Sequence, residues 1–195
     1  MAAGGKGAVV FLMIELSLLV PYIVAFSLDT WTVVYEDSLT VSRRANMGLW
    51  WGCGYDHDLQ LEEKSKTQAC FSMLEAGVPA WLRAVQAFAI LGIFFGVVCV
   101  VLTGVMTCGP YDPDRVFKVF LPVWYFAGFA MLLAIVIFGA SMPPYEKAVP
   151  VMRFDIEITR DFIIQKFWTA FIVESIAACL WNAFGFIFLC AVCCS

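Results

Sequence analysis

Four stretches of this sequence carry almost no charge, and each is long enough to cross a lipid bilayer. Between Lys6 and Asp29 the only charged residue is Glu15. From Ala84 to Tyr111 and from Val119 to Tyr145 there is none, and from Phe167 to Ser195 there is only Glu174. A hydrocarbon core of about 30 Å takes roughly 20 helical residues to cross. Lipid offers the backbone no hydrogen bonds, so a run of this length has to supply its own as a helix. The sequence therefore predicts spans at about 8–28, 84–107, 119–142 and 167–190. Composition agrees, with 62% hydrophobic and only 14% charged residues in 195, against about 25% charged in soluble domains. The first run follows Lys6 and ends on Ala25-Phe26-Ser27, faintly like a signal peptide. Its apolar stretch exceeds the roughly 7–15 residues of a signal, which predicts a retained helix.

Four spans place both termini on one side, with a short turn at 108–118. The other side receives a long loop, 29–83, and a shorter one, 143–166. Two rules then conflict over which side is outside. The loop side carries nine basic residues and the termini side only Lys6, Arg115 and Lys118, so the positive-inside rule puts the loops in the cytoplasm. The cysteines argue the opposite. Of eight, only Cys53 and Cys70 lie in a loop. A lone pair in one polar loop suits a disulfide, which persists in an oxidising compartment. Cys190, Cys193 and Cys194 lie at the termini-side helix end, where cytoplasmic cysteines suit palmitoylation; filling the helix end is the plainer role. The cysteine argument is preferred, with loops outside and both termini cytoplasmic. A zinc site from Cys53, His57 and Cys70 with Asp56 or Asp58 is the weaker alternative, because structural zinc is held by four Cys or His ligands.

The first loop holds Trp31, then Gly48-Leu49-Trp50, Cys53 and Cys70, followed by Leu74, Pro79 and Arg83. This order resembles the first-loop signature of the claudin superfamily, and the four-span layout resembles it over the whole chain. The resemblance implies a single all-α membrane domain: a left-handed four-transmembrane-helix bundle with a small extracellular antiparallel β-sheet. That sheet takes its strands from the first loop plus one from the second. Met152, Phe154, Ile156 and Ile158 alternate with Arg153, Asp155, Glu157 and Thr159, a strand pattern in the second loop. Trp31 to Tyr35 offers a weaker one. The chain also departs from the family. Sixteen residues separate Cys53 from Cys70, more than in typical claudins. It closes on Cys193-Cys194-Ser195 rather than the Tyr-Val through which many claudins bind PDZ scaffolds. Neither Asn46 nor Asn182 lies in a glycosylation sequon.

Other residues invite two readings each. Trp31, Trp50 and Trp51 suit either a partner surface or, more simply, the lipid–water boundary, where tryptophan rings settle. Eight acids lie between Asp29 and Glu75 against four bases. If such loops line a path between cells, their carboxylates favour cations, with Glu36, Asp56 and Asp58 the candidate lining; the plain reading is a solvated loop. Glu15 and Glu174 lie inside spans, where ionised groups are costly and mark function. Hydrogen bonding between helices is the plainer role, and their depths differ too much for them to meet. Gly92 and Gly96 form Gly-x-x-x-Gly, spacing that lets helices approach closely, within the bundle or between copies. No nucleophile–base pair, phosphate loop, metal cluster or basic stripe stands out, so neither catalysis, a cofactor nor nucleic acid is expected.

The resemblance thus implies a junction protein of the plasma membrane. It would associate with itself or claudin-like relatives within one membrane and across the gap, sealing the space or passing small ions. Two other members of the superfamily suggest alternatives: an auxiliary gamma-type subunit of an ion channel, towards which the long cysteine interval leans, or an adhesion protein of the peripheral myelin type.

Overall fold

A computed structural model of the chain describes residues 3–37, 41–58, 67–74, 78–108, 113–141, 163–167 and 169–193. Four helices dominate it: α1 (Ala3–Ser27), α2 (Ala80–Cys108), α3 (Pro113–Ser141) and α4 (Thr169–Cys193). Each contains a segment apolar and long enough to span a bilayer, namely Val9–Ser27, Ala80–Cys108, Arg115–Ser141 and Thr169–Ile187. The protein is a multi-pass membrane protein of mostly helical structure. α2 and α3 begin several residues before their charge-free runs. Arg83, Arg115 and Lys118 are all exposed on these end turns, where water accepts the charge while the helix continues.

The helices pack in a ring, each against its two neighbours in chain order, with α4 closing onto α1. Their outward faces carry Val10, Met13, Phe94, Phe129, Ile176 and Phe186, all more than half exposed. In water such a surface would drive aggregation; in a bilayer it meets a solvent of its own kind. Inside, Leu19, Tyr22, Cys99, Phe120, Trp124, Met131 and Trp181 form a core cluster. Trp124 and Trp181 stack with centroids 4.2 Å apart, and the Trp181 indole N–H donates to the Trp124 carbonyl at 3.2 Å. Asn182 satisfies its amide within the bundle, donating to the Gly128 and Ala178 carbonyls at 3.1 and 2.8 Å.

The Gly-x-x-x-Gly of α2 is used inside this bundle. A Cβ on Gly92 would stand 2.7 Å from Met131 Cγ and 3.3 Å from its backbone nitrogen, so α3 lies directly on that glycine. A Cβ on Gly96 would meet Leu19 Cδ1 of α1 at 2.8 Å. The two glycines thus seat different neighbours on one helix.

Between α1 and α2 the chain forms β1 (Thr32–Asp37), β2 (Val41–Met47), β3 (Trp51–Asp58) and β4 (Thr67–Ser72); β5 (Ile163–Phe167) lies between α3 and α4. They make one five-stranded sheet in the order β4-β3-β2-β1-β5, with every pairing antiparallel. The alternating stretch 152–159 lies outside the described residues; the strand of the second loop among them is β5. Because β1 leaves α1 and β5 leads into α4, their pairing, Thr32 opposite Phe167, ties both loops to one end of the bundle.

Candidate functional site

The junction between sheet and bundle is where the unusual residues gather. Trp31 follows α1 and is fully buried. Its ring lies edge-on to Phe138 at 4.8 Å and Phe171 at 6.0 Å. Its indole N–H donates to the Ala25 carbonyl at 2.9 Å. That carbonyl belongs to the last turn of α1, where helical acceptors lack intrahelical donors. One tryptophan therefore finishes α1 and plugs the bundle end through α3 and α4.

Gly48-Leu49-Trp50 turns the chain from β2 into β3. The Gly48 amide donates to the Trp51 carbonyl at 2.9 Å, and the Met73 amide donates to the Trp50 carbonyl at 2.8 Å. Gly48 lies so close to the end of α1 that a Cβ would overlap the Leu28 carbonyl oxygen and stand 2.6 Å from Asp29 Cα. Leu49 is fully buried, in one cluster with Val85 and Ala89 of α2. Its carbonyl accepts a hydrogen bond from the Gln86 amide at 2.6 Å. Trp50 is half-buried and meets Phe26 edge-on at 5.0 Å, while Trp51 is 53% exposed. Gln86 is the residue that sequence reasoning missed. Its signal was a lone amide near the sheet end of a run of apolar residues.

A few residues further, Cys53 and Cys70 stand directly opposite each other on β3 and β4 and are joined by a disulfide across a sequence separation of 17. Both thiols are consumed, which removes them from the zinc alternative. Among the described residues no cluster of three or more His, Cys, Asp or Glu is placed to hold a metal. Closing such a loop restricts the unfolded chain by about 3 kcal/mol on the chain-entropy account. Trp31, Gly48, Leu49, Trp50 and the bridge thus form one braced unit. Arg83 stands apart from that unit, exposed on the first turn of α2.

The three acids proposed to line a path sit on the sheet. Glu36 is opposite Arg43, and Arg43 is opposite Asp56, so the register sets one base between two acids. Asp58 is opposite Val41 at the far end of β3.

Both acids within the spans are fully buried in the bundle. Thr103 of α2 donates its hydroxyl to Glu15 Oε1 at 3.1 Å, an interhelical hydrogen bond; Glu15 Oε2 has no hydrogen-bond partner. Glu174 of α4 has the Tyr22 hydroxyl as its polar neighbour, but neither carboxyl oxygen nor that hydroxyl attains hydrogen-bond geometry. Seven residues separate Glu15 from Tyr22, two turns or about 10 Å along α1. The two acids therefore occupy separate layers. Of the candidate acylation sites, Cys190 is an exposed thiol on α4 and Cys193 is its last residue; Cys194 lies outside the described residues.

These features define a class: a four-helix membrane protein whose two loops on one side join in a single disulfide-braced sheet. No family model matches the chain, and no curated protein matches it either.

Proposed function

We propose that this is a claudin-like protein of cell–cell junctions, with a left-handed bundle in the plasma membrane, termini in the cytoplasm and the sheet outside. Copies associate side by side and across the intercellular gap, sealing it or leaving a path for small ions. The observation that carries this reading is the braced unit itself. Of the residues that resemble the claudin signature, Trp31 and Gly48-Leu49-Trp50 anchor the sheet to the bundle, and Cys53–Cys70 ties β3 to β4 within it. A sheet held rigidly above the membrane suits a protein whose task is to meet another surface. The disulfide favours an oxidising outer side, although the basic residues of the loops pull the other way.

The register supports a refinement. If ions pass along the sheet, Arg43 opposes the attraction of Glu36 and Asp56 for cations. The chain expressed in an epithelial layer is expected to shift the dilution potential towards cations. Arg43→Gln increases the shift and Asp56→Asn reduces it. A layer whose conductance and dilution potential do not respond to the chain contradicts the path, and co-purification of an ion channel with the chain would replace it with the auxiliary-subunit reading.

A further inference from the structure

Two layers of the bundle interior hold an acid, and the acids are satisfied differently. In the layer nearer the termini Glu15 has a donor on a neighbouring helix, the Thr103 hydroxyl. In the layer nearer the sheet Glu174 of α4 has the Tyr22 hydroxyl of α1 as its polar neighbour, and both residues are fully buried. Glu174 Oε1, Glu174 Oε2 and the Tyr22 hydroxyl all lack a hydrogen-bond partner. The pair cannot satisfy itself. A phenol has one proton to donate and a carboxyl has two oxygens, so a direct bond leaves one oxygen over. One helical turn deeper stand Leu18 and Leu19 of α1 and Ala177 and Ala178 of α4, in one core cluster with Tyr22. Their apolar side chains supply no partner.

The layer has a definite place in the fold. Tyr22 lies five residues before the end of α1 and Glu174 five residues after the start of α4. Both therefore stand about 7.5 Å inside the sheet end of their helices. Trp31 roofs them. Its indole N–H donates to the Ala25 carbonyl, one turn above Tyr22, and its ring meets Phe171, one turn above Glu174. A guest that completes the layer has to donate to the carboxyl and accept from the phenol. Water does both, and buried water takes about three polar partners, which matches the two carboxyl oxygens and the hydroxyl. A hard cation donates no proton and gathers about six or more oxygens, twice what these two side chains offer. We propose that one water molecule is bound between Glu174 and Tyr22, donating to the carboxyl and accepting from the hydroxyl. It bridges α4 to α1 directly beneath the pairing of β1 with β5, the strands that adjoin those two helices.

The test is a crystal structure of the full chain grown from a lipid mesophase, at a resolution that shows ordered water and with rubidium as the only alkali cation. The expected result is a density peak about 2.5–3.0 Å from both the Tyr22 hydroxyl and a Glu174 oxygen, with no anomalous signal. Glu174→Gln should keep the peak, because its amide oxygen still accepts from water. Glu174→Leu should lose it. A Tyr22 hydroxyl bonded directly to Glu174, with no peak beside the pair, overturns the proposal. An anomalous peak at the same place also overturns it, since that would make the layer a cation site. So does a peak of unchanged height in Glu174→Leu. Should Glu174→Leu fail to fold, the parent and Glu174→Gln crystals decide the question by themselves.

Discussion

At Gly48 an added methyl group would collide with backbone rather than with side chains. Both nearest atoms, the Leu28 carbonyl oxygen and Asp29 Cα, belong to the main chain leaving α1. Neither can move without shifting the end of that helix. Gly48→Ala is therefore expected to destabilise the fold by about 1–3 kcal/mol, the usual cost of overpacking. Thermal unfolding of the purified chain in detergent reads it as a lowered midpoint. Leu49→Met, close to volume-conserving, should cost less, under about 1.5 kcal/mol. A Gly48→Ala protein as stable as the parent would remove the glycine from the account. Residue-scale roles were unevenly legible in the sequence. The Gly-Leu-Trp order marked a structural element at the lipid–water boundary, but nothing in it announced the turn from β2 into β3, that Gln86 holds the Leu49 carbonyl or that Trp31 finishes α1. Those partners lie 37 and six residues away along the chain, and only the folded backbone brings them together. Glu15 was legible as an interior acid, and its bond to Thr103, 88 residues distant, was not.

Between elements, the two glycines of α2 separate two kinds of contact. Gly92 faces Met131 close to that residue's backbone, whereas Gly96 faces the terminal methyl of Leu19. A side-chain end can rotate away and a neighbouring helix cannot. Gly92→Ala is thus expected to cost more than Gly96→Ala, by at least about 1 kcal/mol, and to loosen the α2–α3 contact. Equal costs in thermal unfolding would contradict this assignment. The hairpin of β3 and β4 allows a second comparison. Cys53→Ser should cost about 2–5 kcal/mol, as loss of a native disulfide commonly does. Surface biotinylation should find most of the variant retained inside the cell. Normal surface delivery of Cys53→Ser would mean that the strand pairing alone sustains the sheet. Helices were the most legible elements, because a charge-free run of bilayer length admits little else. The sheet was less so. β2 and β4 carry polar residues at many positions, and their pairing is fixed by the turn and the bridge rather than by alternation. The clearest alternation in the second loop, 152–159, lies outside the described residues, and β5 follows it at Ile163–Phe167.

For the whole molecule, the up-and-down path of four spans explains why one side is complex and the other plain. Odd-numbered helices end, and even-numbered helices begin, beside the sheet, so both loops meet there and close into a single structure. Among the described residues, the opposite end has the start of α1, the end of α2, the start of α3 and the end of α4. This division was readable from hydropathy. The assignment of sides was not, because basic residues and cysteines point in opposite directions. The central claim is that the braced sheet faces outwards and joins copies across the gap between cells. Its most direct test mixes two populations of cells that lack such junctions, each expressing the chain with a different fluorescent tag, and images their shared borders by fluorescence and freeze-fracture. The account predicts both colours concentrated at heterotypic contacts with intramembrane strands beneath them, and loss of both with Cys53→Ser. A chain that reaches the surface yet stays diffuse, with no strands at contacts, would contradict it.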